Sequence, residues 1–134
     1  MLLFIFGTRP EIIKLIPIIL ELKNRDIPIY ICNTEQQKDL TAQMLFFFQI
    51  QSDINLNIMK ENQDLNSLTA YLIIKLTDVI KKIKPTKIIV QGDTTSAFVG
   101  ALCGFYEKIP VYHVEAGLRT NNIYSPFPEE RTVC

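Results

Sequence analysis

Histidine occurs once in the 134 residues, at position 113, and cysteine only three times, at 32, 103 and 134, with no CxxC pair. That inventory does not make a zinc site, and the odd, widely spaced cysteines read as small apolar fillers kept reduced. Net charge is lacking as well: fourteen basic side chains cancel fourteen acidic ones. No overall field therefore draws the chain to nucleic acid or to an anionic membrane surface, and any anion site has to be local. Long apolar runs are missing too. LLFIF and IIKLIPIILEL are separated by Gly-Thr-Arg-Pro-Glu and interrupted by Lys14, short of the roughly 18 to 20 residues of a membrane span. No basic leader precedes the first run, so no signal peptide is expected, and a cytoplasmic protein is the default. Polar tracts and like-charge blocks, the marks of disorder, are likewise absent.

What is present is an alternation of apolar runs with helix-period segments. Leu2 to Gly7 reads as a strand buried on both faces, and Pro10 to Asn24 as a helix with Thr8 as its cap and Glu11 near its positive end. Pro28 to Cys32 is a second strand, Gln36 to Phe48 a helical segment and Ile54 to Ile58 a short alternating strand. Leu65 to Lys84 is a long helix with Leu68, Leu72, Ile73, Leu76, Val79, Ile80 and Ile83 as its buried stripe. Lys87 to Gln91, Thr95 to Glu107 and Pro110 to Val114 follow as strand, helix and strand.

Such alternation predicts an α/β fold: a doubly wound, mainly parallel Rossmann-like sheet, in one domain over residues 1 to 134. Ligands bind such sheets outside the carboxyl ends of the strands. The segments expected there are Gly7 to Arg9, Asn33 to Gln37, Gln91 to Thr95 and Glu115 onward.

FGTRPEIIK ends a strand and opens a helix. Gly7 allows a tight turn, the free amides suit an anion, and Arg9 with Lys14 adds two cations. It is not a GxGxxG fingerprint, so a dinucleotide cofactor is not expected. In VQGDTTSA, Asp93 fits two roles, the N-cap of the next helix or a catalytic carboxylate. Gly100 and Gly104 share a helix face and let that helix sit close to the sheet. In HVEAGLR, His113 reads as a structural hydrogen bonder. Glu115, straight after a buried strand, needs a partner against desolvation, either Arg119 or a ligand. Glu129 and Glu130 follow Pro128, where a helix is expected to start. Asp93, Glu115 and Glu129 at one edge would push at least one carboxylate pKa upward, which suits acid/base chemistry on a phosphorylated or nucleotide-linked substrate.

FGTRPEIIK with Pro17, QGDTTSA, HVEAGLRT and YSPFPEE, in this order, resemble the non-hydrolysing UDP-N-acetylglucosamine 2-epimerases from Leu2 to Glu130. The resemblance implies interconversion of UDP-GlcNAc and UDP-ManNAc for bacterial surface polysaccharides, by elimination of UDP to 2-acetamidoglucal and re-addition. It assigns Asp93, Glu115 and Glu129 to catalysis and Arg9 and Lys14 to the UDP-sugar, with no cofactor or metal. It further implies a homodimer at full length, and a second domain that completes a glycosyltransferase-B fold and brings a catalytic histidine that His113 does not match. This chain is expected to be most of the N-terminal domain, a fragment inactive alone.

In the segment TEQQK, Thr34 and Gln36 keep the family pattern, while Gln37 and Lys38 stand where it has histidine and arginine. Gln36 is thereby marked for the regulatory substrate site of some bacterial relatives. RTVC after Glu130 departs from the family's continuation. Two other readings compete: a non-catalytic remnant that binds UDP or diphosphate, and a glycosyltransferase half-domain, which GTRPE and PEE disfavour.

Overall fold

The computed structural model describes residues 1 to 58 and 64 to 115. Its elements are β1 (Leu2–Phe6), α1 (Arg9–Asn24), β2 (Ile29–Asn33), α2 (Lys38–Phe47), β3 (Ile54–Asn55), α3 (Leu65–Ile83), β4 (Lys87–Gln91), α4 (Thr95–Tyr106) and β5 (Val111–Val114). The five strands form one sheet in the order β3-β2-β1-β4-β5, and every pairing is parallel. The chain thus winds outward through β2 and β3, then returns past β1 to lay down β4 and β5. The reversal lies between β1 and β4, the crevice where such sheets accept ligands.

Strand periodicity explains why an unbroken apolar run opens the chain. Leu3 and Ile5 point into one core with Leu72, Leu76, Ile80 and Val99 from α3 and α4. Phe4 and Phe6 point into the other, with Ile12, Leu15 and Ile19 of α1. Alternate side chains of β1 thus feed both layers, and all four are fully buried. On α3 the expected stripe holds: Leu68, Leu72, Leu76, Val79 and Ile80 are buried, with Ile73 and Ile83 packed at its margin. Gly100 and Gly104 bring α4 against the sheet as expected. A Cβ at Gly100 would lie 2.9 Å from Val90 Cγ1, and one at Gly104 would lie 2.5 Å from Val111 Cγ2.

One strand is shorter than its alternation suggests. Only Ile54 and Asn55 pair with β2, instead of the whole run to Ile58. The Asp53 carboxylate replaces a missing rung, because its Oδ2 accepts the Ile31 N–H at 2.7 Å while its own N–H donates to the Ile31 carbonyl at 2.8 Å. Beyond Asn55 the chain turns inward instead: Ile58 is fully buried, and its N–H donates to the Thr34 carbonyl at 3.2 Å. No helix is long and apolar enough to cross a membrane among the described residues.

Candidate functional site at the carboxyl edge of the sheet

The register places the ends of β1, β2, β4 and β5 along one edge, with Phe6 opposite Asn33 and Gln91 opposite Val114. Gly7 to Arg9, Asn33 to Gln37 and Gln91 to Thr95 emerge at that edge as expected, together with Glu115.

At the end of β1, Gly7 is required by proximity. A Cβ on it would stand 1.8 Å from Thr34 Oγ1 and 3.1 Å from Ser96 Oγ. The chain turns there from β1 to α1 within two residues, and since the Gly7 backbone is not in the left-handed region, it is the close approach of two neighbouring connections that requires glycine. Into the space that glycine leaves, Thr34 and Ser96 bring hydroxyls 2.8 Å apart, and Ser96 Oγ donates to Gln36 Oε1 at 3.1 Å. Gln37 completes the seam: its N–H donates to the Gly7 carbonyl at 2.7 Å, and its Oε1 accepts the Arg9 N–H at 2.9 Å. Gln36 therefore lies within the reversal crevice, half-buried, while Arg9 is exposed at the first turn of α1.

Glu11 lies in the first turn of α1, near the positive end as expected, but within the protein and not at its surface. It has no exposed surface, and its Oε1 accepts the Gly7 and Thr8 N–H groups at 3.0 and 2.9 Å and the Thr8 hydroxyl at 2.9 Å. Thr94 Oγ1 donates to its Oε2 at 3.0 Å. Burial pushes the carboxyl up from 4.5 to about 7, against four hydrogen bonds that favour the charged form. Glu11 is thus a carboxylate with a raised pKa at this edge, and the cause is desolvation. The signal that could have marked Glu11 was the Thr8-x-x-Glu11 spacing, a capping-box pattern at a strand end that is buried on both faces.

The β4–α4 turn settles one open alternative. The N-cap of α4 is Thr94, whose Oγ1 accepts the Ala97 N–H at 3.1 Å, so Asp93 is not the cap. Gly92 adopts a positive φ of 70°, which lets the turn leave β4, and its N–H donates to the Val114 carbonyl at 2.8 Å. His113 holds the Gly92 carbonyl through Nε2, the structural bond expected of it.

Glu115 leaves the line of β5 at a φ of 57°, so it does not continue the strand side of His113. Its side chain is 42% exposed, and the anticipated desolvation is therefore not what holds it. Two partners do: Lys14 Nζ reaches its Oε1 at 2.9 Å, and Gln91 Nε2 donates to its Oε2 at 2.8 Å. Arg119, the partner considered from sequence, lies outside the described residues, as do Glu129, Glu130 and the RTVC end. Lys14 is consequently an ion-paired cation that joins α1 to the end of β5. Among the described residues no three His, Cys, Asp or Glu side chains gather as a metal site.

The structure thus brings Arg9, Lys14, Gln36, Asp93 and Glu115 to one edge, with Asp93 and Glu115 on adjacent strand ends. Such an edge can offer cations and helix amides to an anion beside carboxylates able to move protons.

Comparison with known proteins gives this edge a context. The sequence profile of the UDP-N-acetylglucosamine 2-epimerase family matches residues 20 to 132. A UDP-N-acetylglucosamine 2-epimerase of Neisseria meningitidis is 52% identical over 129 residues, which are 96% of this chain and 35% of the relative. The crystal structure of a Neisseria meningitidis UDP-GlcNAc 2-epimerase bound to UDP-GlcNAc superposes with a TM-score of 0.89 at 50% identity, over 98% of this chain and 36% of that one. A Methanocaldococcus jannaschii UDP-GlcNAc 2-epimerase in complex with UDP-GlcNAc and UDP gives 0.90 at 36% identity, again over 98% of this chain and 36% of the other. The chain therefore spans about a third of the length of the relatives it matches. With the profile matching most of its length and a relative of that name 52% identical over 96% of it, this chain belongs to the UDP-N-acetylglucosamine 2-epimerase family.

Proposed function

We propose that this chain supplies the acid/base edge of a UDP-N-acetylglucosamine 2-epimerase, interconverting UDP-GlcNAc and UDP-ManNAc. The observation that carries the reading is the Lys14–Glu115 contact of 2.9 Å, which sets a cation against a carboxylate beside the strand end that bears Asp93.

The C2 proton of the sugar has no adjacent carbonyl to acidify it, so removing it alone would be costly. In the proposed route a carboxylate takes that proton while the C1–O bond breaks, its electron pair leaving with the diphosphate of UDP and the C2–H pair forming the C1=C2 bond of 2-acetamidoglucal. Re-addition of UDP at C1, with a proton delivered to the other face of C2, completes the inversion. Asp93, Glu115 and Glu129 are the carboxylates for proton transfer and transition-state stabilisation. Arg9, Lys14 and the amides at the start of α1 stabilise the departing diphosphate. Gln36, held by Ser96, is the residue proposed to face a regulatory UDP-sugar. No cofactor enters this route. A second domain of the glycosyltransferase-B type would close over the edge, exclude water and strengthen each electrostatic contribution.

The test uses the chain by itself and a chimera in which residues 1 to 130 precede the remaining two thirds of the Neisseria meningitidis relative. UDP titration and an assay for UDP-ManNAc are run on both. The expected result is UDP binding without turnover by the chain, and turnover by the chimera that falls by about a hundredfold or more with Asp93→Asn. A folded chimera that binds UDP and forms no UDP-ManNAc would leave the binding-module reading standing. Transfer of the sugar to an acceptor would favour a glycosyltransferase.

A further inference from the structure

The Glu11 carboxylate stands between two turns that the proposed chemistry uses. On one side it holds the Gly7 and Thr8 amides that lead into Arg9. On the other it accepts from Thr94, the residue after Asp93. A first-turn acid that served only its own helix would remain solvated and would not reach the start of another helix. Glu11 does reach α4, and it is fully buried in doing so, at a desolvation cost that its four hydrogen bonds do not recover.

Thr94 transmits this contact. Its hydroxyl donates to Glu11 while accepting the Ala97 N–H at 3.1 Å, so the start of α4 is fixed relative to α1 through one oxygen atom. The opposite side of the same turn is tied to β5 through the Gly92 N–H, at 2.8 Å from the Val114 carbonyl. Asp93 is thus carried on a turn anchored at both ends, one anchor being Glu11. We propose that Glu11 is a positioning residue for the reaction, holding the Asp93 turn in register with the phosphate-facing turn at Gly7 to Arg9. The inference rests on the role proposed above for Asp93.

The groups that face Glu11 are neutral donors from Gly7, Thr8 and Thr94. The charged residues of the elements around it are Arg9, Lys14, Glu21 and Lys23 on α1, Glu35 before α2, Lys38 and Asp39 in its first turn, and Asp93 before α4. Protonation of Glu11 obliges the carboxyl to donate where it now accepts, so the change should be felt in both turns at once.

Amide NMR on the chain itself reads that coupling. In the unaltered protein the resonances of Gly7, Thr8 and Asp93 to Ala97 are expected to titrate with one shared midpoint, lost in Glu11→Gln. In Thr94→Val, Gly7 and Thr8 should still titrate while the Asp93 turn no longer follows, and Thr94→Ser should restore the link. In the chimera, Thr94→Val is expected to lower kcat by ~10- to 100-fold with KM little changed, and Thr94→Ser to recover it. Circular dichroism checks that each variant folds. An Asp93 turn that titrates unchanged in Thr94→Val, or full turnover in Thr94→Val when Asp93→Asn is inactive, overturns the proposal. An active Asp93→Asn overturns the underlying reading instead, and is told apart because the NMR coupling then persists.

Discussion

Lys14 Nζ and Glu115 Oε1 lie 2.9 Å apart, although their residues are separated by most of the chain and belong to α1 and to the end of β5. The pair is about half exposed, at 53% and 42%, so it contributes less than ~1 kcal/mol to stability. Its significance is electrostatic: a cation proposed for the diphosphate is held by a carboxylate proposed for catalysis.

Glu115→Gln is therefore expected to leave the unfolding free energy within ~0.5 kcal/mol of the unaltered chain while raising affinity for UDP a few-fold, since an anion is removed and Lys14 is released. Calorimetric titration with UDP at low and high salt checks this, and the gain should shrink as salt rises. Weaker UDP binding by a folded variant would show that Glu115 orients Lys14 instead of competing for it.

Gly7→Ala would place a methyl 1.8 Å from Thr34 Oγ1. That clash lies within a buried seam, so a loss of ~2 kcal/mol or more is expected in urea unfolding. Removing the hydroxyl with Thr34→Ala should recover part of the loss, giving a double variant less unstable than the sum of the singles. Strict additivity would mean that the close approach is not the cause.

Stability should carry the signature of Glu11. Its carboxyl titrates near 7 in the fold against 4.5 ordinarily, and below the lower value both folded and unfolded chains hold the proton. Between the two only the folded chain holds it, so this contribution falls as pH rises and is level above about 7. Relative to Glu11→Gln, the unaltered chain should lose up to ~3 kcal/mol between acidic and mildly alkaline pH. Parallel stability curves for the two proteins would refute this account.

Asp53 offers a separate check on the sheet. Asp53→Ala leaves the Ile31 N–H without its 2.7 Å acceptor and should cost ~1 kcal/mol. Asp53→Asn keeps an oxygen in place and should cost less. Equal losses in the two would mean that charge, not the rung of the ladder, is what Asp53 supplies.

Most of the architecture was legible because a parallel sheet with helices on both faces writes itself as unbroken apolar runs separated by helical stripes. LLFIF could be assigned to a strand buried on both sides, and the stripe from Leu68 to Ile83 to one face of α3, without reference to any partner. The polar segments of the site could be assigned to the strand ends for the same reason. The exception is the end of β3, where the alternation of INLNI said nothing of the turn that buries Ile58 against Thr34.

By itself, then, the order of residues determined the fold class, the edge that gathers the polar strand-end segments and the family motifs, because each depends on periodicity and local spacing. Only the tertiary structure decided that Gly7 makes room for Thr34, that Thr94 and not Asp93 caps α4, that Lys14 is the partner of Glu115, and that Glu11 is buried between two turns. All but the cap, which is a contact within one turn, join segments distant in the chain. Which groups meet there, and how far water is excluded from them, is set by strand order and register, which no local pattern encodes.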